Sequence, residues 1–258
     1  MKKILFIAAF CTFFGFGAMS QTVKNQTFKV KDVEFEMIYV QGGTFQMGGD
    51  MVQGTDAMDF EKPVHNVKLS GFYIGKFEVT QALWTAVMED NPSEYQDDEN
   101  FPVETVSWRE ATKFIEKLNL LTGKKFRLPS EAEWEFAARG GVKTQNFKFS
   151  GSNTAQESAL CAEDWFSGSP AVCGSKKANE LGIYDMSGNV AEWCQDWYGN
   201  YTAGFQTNPK GPNFGIGRVI RGGGWNDKET ACRVTARVVE GPEYTKFNLG
   251  FRIALSQQ

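Results

Sequence analysis

Asp185 and Glu192 flank a Ser187-Gly188-Asn189 turn inside GIYDMSGNVAEWCQDW, Gly182 to Trp197. Two carboxylates separated by small residues and backbone carbonyls are a candidate oxygen cage for a hard cation. Calcium takes carboxylate and carbonyl oxygens from a tightly curled loop. The spacing is not that of the twelve-residue EF-hand loop, and a buried turn with two solvated acids is the competing account. Tyr184, Trp193 and Trp197 surround the turn, and side chains of that size bury when they can. Ser-Gly followed by Asn is strong turn punctuation.

The rest of the chemistry is bounded by what the chain lacks. His65 is the only histidine, so Ser-His-Asp or Cys-His catalysis would have to use it, and zinc or non-haem iron normally takes two or more His or Cys ligands. Between Pro63-Val64 and Asn66-Val67 it reads as a structural histidine at a sheet edge. Glu131, Glu133 and Glu135 could supply an acid and a base, but they open a helix, where acids complement the dipole. Gly222-Gly223-Gly224 lacks the Lys-Ser/Thr and helix of a phosphate cradle and reads as a close backbone approach. Of five cysteines, Cys11 lies in the leader. Cys161, Cys173, Cys194 and Cys232 allow three pairings. We expect Cys161–Cys173 as a local staple and Cys194–Cys232 as a long-range one, leaving no reactive thiol.

These groups need a frame. The chain opens MKKILFIAAFCTFFGFGAMSQ, with a basic Lys2-Lys3, an apolar Ile4–Phe16 and a small-residue Ala18-Met19-Ser20. That is the pattern of a secretory signal peptide over residues 1–20. The apolar run is shorter than the ~20 residues of a membrane span, and no later stretch comes near it. We expect an exported chain that does not span the membrane and that resides in the periplasm, at the cell envelope or outside. Losing Lys2 and Lys3 takes the formal charge from −4 to −6. With no Lys/Arg-rich run, nucleic acid is not an expected partner.

Alternation predicts a strand over Val33–Tyr39, broken by Gly42-Gly43 and resumed over Thr44–Gly49 as a hairpin. Val64–Leu69 and Phe72–Val79 read as two more strands. Thr80 is a natural N-cap for Gln81–Met88. Capping boxes Ser107/Glu110 and Ser130/Glu133 open two further helices, the first with Ala111, Phe114, Ile115, Leu118 and Leu121 on one face. Beyond Val142 helix signals vanish and Gly, Asn, Ser, Pro and Trp dominate. A long stretch of loops with few elements is held by metal or disulfides, or carries function. One domain over residues 33–256, preceded by an extension over 21–32, is the simplest count.

GGTFQMGG, PVHNVKLSGFYIGKFEVTQALW, FPVETVSWREA, RLPSEAEWEFAARGG, YDMSGNVAEW, RVIRGGGW and NLGFR follow one another in that order. Together they resemble the formylglycine-generating-enzyme, or sulfatase-modifying-factor, domain, and the likeness covers nearly all of Val33–Leu255. The resemblance implies an irregular, loop-rich α+β fold of the C-type-lectin-like type with little regular secondary structure. It assigns structural calcium to Asp185, Gly188, Val190 and Glu192, the middle two through their carbonyls.

The family's oxidases hold copper with two cysteines after a Gly-Gly-Ser-aromatic turn, and paired thiolates suit Cu(I). Here the turn is Gly222-Gly223-Gly224-Trp225; the first cysteine position falls on Asp227 and the second on Cys232. Copper is therefore not expected and no catalytic residue is assigned, Cys232 being the sole candidate under an oxidase alternative. GGGWNDKETACRVTAR resembles instead the branch of exported bacterial proteins, with secretion and gliding components, and the ligand-binding variable proteins. By that likeness Trp225, Asn226, Asp227, Lys228, Glu229, Thr230, Arg233, Thr235, Val238 and Glu240 would face a protein or glycan ligand. A structural subunit of a secretion or gliding assembly is the remaining alternative.

Overall fold

The period-two pattern of Val33–Val40 forms strand β2, whose neighbours define the first of three sheets. The computed structural model describes residues 24–49, 56–162 and 168–257; the expected leader lies outside them. β1 (Gln26–Val30) pairs antiparallel with β2. The stretch expected as an extension therefore supplies an edge strand. β2 then pairs with β5 (Phe72–Gly75), which pairs with β12 (Ala254–Ser256), and β12 also takes β6 (Phe126–Arg127). The order is β1-β2-β5-β12-β6, so the end of the chain closes the middle of its first sheet.

The expected hairpin after β2 does not form. β3 (Gly43–Met47) pairs instead with β4 (His65–Leu69), in a three-stranded sheet completed by β8 (Gln206–Thr207). The glycines carry the chain across to another sheet rather than back: a Cβ on Gly42 would lie 2.6 Å from the Leu69 carbonyl oxygen. His65 is buried at the start of the central strand of this sheet, not at an edge. Its Nδ1 lies 3.0 Å from the Pro63 carbonyl and its ring packs on Tyr201.

The caps hold as read. Thr80 Oγ1 accepts from the Leu83 N–H ahead of α1 (Gln81–Met88), and full capping boxes start α2 (Trp108–Thr122) and α3 (Glu131–Ala138). α2 buries Ala111, Phe114, Ile115 and Leu118 against the first sheet, with Phe114 stacked on Trp84 and edge-on to Phe251. Each such side chain contributes about 1.5–3 kcal/mol. Leu121 stays exposed, because the final turn before the αL residue Gly123 leaves Leu120 and Leu121 outside the packed stripe. α3 is buried almost all round; Trp134 and Phe136 centre a second core.

After the single-turn α4 (Ala155–Ser158) only short strands and one 3-10 turn (Glu229–Ala231) interrupt the loops among the described residues. β7 (Ala191–Trp197), β9 (Arg218–Arg221), β10 (Arg237–Glu240) and β11 (Leu249–Gly250) form a sheet of order β10-β9-β7-β11, parallel only between β7 and β11. This is the loop-rich α+β organisation expected. Among the described residues no helix is long and apolar enough to cross a membrane.

Candidate functional site: two turns stitched back to back

The Asp185–Glu192 turn and the Gly222–Cys232 turn share one hydrogen-bonded seam. Gly188 N–H donates to the Gly222 carbonyl (2.9 Å), Trp225 N–H to the Asn189 carbonyl (2.7 Å), and Ala191 N–H to the Asn248 carbonyl (2.8 Å). Asp185 and Asn189 both adopt left-handed backbone (φ 57° and 63°), a conformation that short polar residues tolerate better than others. Gly188 (φ 83°) admits no side chain, since a Cβ would lie 2.0 Å from the Leu160 oxygen.

Below the first turn lies a group invisible to local reading. Glu78, just beyond β5, reaches the turn from 111 residues away. Its Oε2 accepts from Asn189 Nδ2 (2.7 Å) and Cys173 Sγ (3.5 Å), and its Oε1 from the Val190 N–H (3.0 Å). One ligand atom each from Glu78, Cys173 and Asp185 lie within 4.8 Å of one another. Asp185 Oδ2 accepts from the Gly174 N–H at 2.6 Å. Burial, joined by Asp185 and Glu192, pushes the Glu78 carboxyl well up; burial above all lifts Asp185 to about 6. Burial also raises the Cys173 thiol, with Glu78 and Asp185 adding to it, so the sulfur sits there neutral. Glu192 is differently placed: Arg252 grips both its oxygens (2.7 and 2.6 Å), and Trp134 Nε1 adds a third bond at 2.7 Å.

The oxygen donors suit a hard cation, while the third member of the cluster, the Cys173 thiol, is a soft donor. Two buried carboxylates, Glu78 and Asp185, lie close together without a hydrogen-bonded arginine or lysine, and the Gly188 and Val190 carbonyls accept no backbone hydrogen bond, among the described residues. Oxygen donors with excess negative charge are what calcium takes. Asp185 and Glu78 carry this fit, with Glu192 beside them and engaged by Arg252.

In the second turn Asp227, at the first copper-cysteine position, is a structural acceptor. Its Oδ2 takes the Gly224 N–H (2.9 Å) and Asn248 Nδ2 (3.0 Å). The triple glycine is the close approach expected: a Cβ on Gly223 would meet Cys232 Sγ at 2.8 Å, and one on Gly224 would meet Asn248 Nδ2 at 2.6 Å. A carboxylate already spent on two donors, beside a buried thiol, does not fit the copper of the family's oxidases.

The residues expected to face a ligand separate into four groups. Asp227, Val238 and Glu240 line a cavity of about 140 Å³ with Tyr244 and Lys246. Lys228, Glu229 and Thr230 line a different one, of about 330 Å³, beside Cys161. Arg233 and Thr235 turn inward, a correction to the sequence reading. Both hold the buried Glu61, Arg233 at 2.6 and 2.8 Å and Thr235 at 2.7 Å. Trp225 is buried against Tyr95 and Phe247, and Asn226 is bonded to Asn248.

Neither expected disulfide is present; all four cysteines among the described residues are thiols. Cys173 lies with Glu78 rather than Cys161, and Cys194 is buried in β7, where Glu131 and Asp196 act on it. Cys232 has Cys161 packed on its apolar cluster. Sequence distance gave no sign of these pairings.

Comparison with known proteins agrees with the geometry. The chain is 34% identical to the chaperone protein LppX of Paenibacillus barcinonensis, over 87% of this chain and 89% of that one. It is 29% identical to the formylglycine-generating enzyme of Streptomyces coelicolor, over 84% and 88%. The solved structure of Treponema denticola variable protein 1 superposes with a TM-score of 0.81 at 32% identity, covering 92% of this chain and all of that one. The family model described as Sulfatase-modifying factor enzyme 1-like domain matches residues 22–257. With that match spanning both turns and all three sheets, the chain belongs to the sulfatase-modifying factor enzyme 1-like domain family.

Proposed function

We propose that this protein is an exported, calcium-stabilised binding module that has kept the family's frame without its copper oxidase chemistry. The observation that carries the reading is Asp227. It stands where the oxidases need a thiolate, and its carboxylate is committed to the Gly224 N–H and to Asn248. Calcium would be held by Asp185, Glu78 and the Gly188 and Val190 carbonyls. It would supply the positive charge that two buried carboxylates lack, and would fix the turn against which the Gly222–Trp225 backbone is bonded.

The binding groove is the cavity beside Asp227. At about 140 Å³ it is smaller than the ~300–1,000 Å³ of small-molecule sites, and it opens beside the exposed Val238 and Val239. A cavity of that size with an apolar rim suits one anchoring side chain of a protein partner better than a whole glycan. Rigid frames commonly carry function in loops of this kind. Export rests on the leader pattern of residues 1–20.

One observation favours the oxidase alternative: Cys161 places a second thiol beside Cys232. The deciding experiment incubates the purified chain with Cu(I), oxygen and a peptide holding Cys-x-Pro-x-Arg, then follows peptide mass. The binding reading expects the cysteine unchanged. Conversion to an aldehyde overturns it.

A further inference from the structure

The segment ending at Cys161 and the turn ending at Cys232 are laid side by side by backbone bonding. Ala162 N–H donates to the Asp227 carbonyl (2.9 Å), Ala162 bridges Lys228 in parallel, and Leu160 bridges Gly188. Cys161 lies between these bridges and packs on the cluster that contains Cys232. Cys232 is fully buried with Phe149, Ala155 and Ala159, and Cys161 packs on the same cluster from its half-buried position, where it also lines the cavity of about 330 Å³. The two thiols thus share one apolar cluster, on segments held side by side by the flanking bridges.

We infer that Cys161 and Cys232 are a cross-linking pair, closed to a disulfide by a small-molecule or protein disulfide, which ties the loop before residue 163 to the wall of the ligand groove. Cys161 is the entry point because it alone reaches a cavity. Its thiolate attacks one sulfur of the oxidant RSSR and expels RS⁻, forming a mixed disulfide. Cys232 then loses its proton, attacks the Cys161 sulfur and expels the second RS⁻. Two protein thiols are oxidised, one oxidant disulfide is reduced, and the two protons leave with two RSH. Interaction with Cys161, then burial, raises the Cys232 thiol well above its ordinary value; burial persists once Cys161 is in the mixed disulfide, so the second step is the slow one. The bond would close a long loop in a region poor in regular structure, where constraining the unfolded chain stabilises most.

The test treats the purified full chain with glutathione disulfide, unfolds it in denaturant with iodoacetamide to block remaining thiols, and maps peptides without reduction. The expected result is a Cys161–Cys232 linked peptide two hydrogens lighter than its parts, with Cys173 and Cys194 alkylated. The melting temperature should rise by about 5–10 °C. Cys161→Ser, at the less buried position, removes the linked peptide and the rise; Cys173→Ser keeps both. A linked peptide containing Cys173 or Cys194 overturns the inference. So does full alkylation of Cys161 and Cys232 after oxidant, or protection of both from alkylation by Cu(I) with their thiols intact. None of these results depends on the aldehyde assay.

Discussion

Two regions of the molecule bury carboxylates, and they neutralise them by different means. Along the seam between α3 and the C-terminal loops each acid has an arginine. Glu61 pairs with Arg233, Glu131 with Arg237, Glu135 with Arg139 and Arg221, and Glu192 with Arg252, the shortest contact of each pair at 2.6–2.9 Å. Under the Asp185 turn, Glu78 and Asp185 have backbone, amide and thiol donors, and among the described residues Arg252 acts on them only through space. Buried charge is tolerated when it is paired or coordinated to metal. The seam is therefore self-sufficient, and under the proposed calcium reading the turn is where cation binding would couple to folding. Arginine here replaces what helices and sheets do elsewhere: Arg221 alone donates to the carbonyls of Val234, Thr235 and Ala236, holding chain that has no ladder of its own.

The comparison breaks most visibly at its self-sufficient side. Arg252→Met leaves Glu192 buried without its partner, and removing one member of a buried pair costs about 3–5 kcal/mol. Chemical denaturation should show that loss, and near-native stability would mean the seam is not electrostatic. At the other side, saturating calcium should stabilise by about 3 kcal/mol at a hundredfold excess over Kd. Chelator should then lower the melting temperature by about 5–10 °C. Glu78→Gln or Asp185→Asn should erase that difference, and equal melting with and without chelator in the parent chain would remove the cation from the picture.

Asp196 sharpens the contrast as a third case, an acid neutralised by a proton. Burial, then Glu131 beside it, push its carboxyl up to about 8, well above the ~3.9 of an unfolded chain. The folded state thus holds a proton that the unfolded state has lost. Its contribution is complete below about pH 4 and declines as pH rises toward 8. Between roughly pH 5.5 and 7 stability should fall by about 2 kcal/mol. Asp196→Asn, which resembles the protonated form, should flatten that slope in denaturant titrations; an unchanged slope would place the titration elsewhere. Smallest is Asp227→Ala, which strips an acceptor from the Gly224 N–H and Asn248 at a cost of about 1 kcal/mol. No measurable change would show that Asp227 is free for a ligand.

What could be read from the chain was local. Thr80, Ser107 and Ser130 announce their helices because a cap bonds a backbone N–H three residues on. Gly188, Gly223 and Gly224 announce close approaches because only the absence of a Cβ allows them. The seven ordered segments, read together, pointed to the family. The β2–β3 hairpin, the two disulfides and the outward aim of Arg233 and Thr235 were misread because each depends on a neighbour distant in sequence. Nothing near Gly42 says which sheet the next strand will join, and nothing near Arg233 names Glu61.

Alone, the sequence determined the turns, caps, apolar faces and family membership, since these rest on backbone conformation and contacts within a few residues. Only the tertiary structure decided that Glu78 stands opposite Asp185, that Glu192 belongs to Arg252 and that Cys232 meets Cys161. Electrostatic and thiol partners are selected by proximity in space, and in the half of the chain without long helices proximity is set by the packing of the whole.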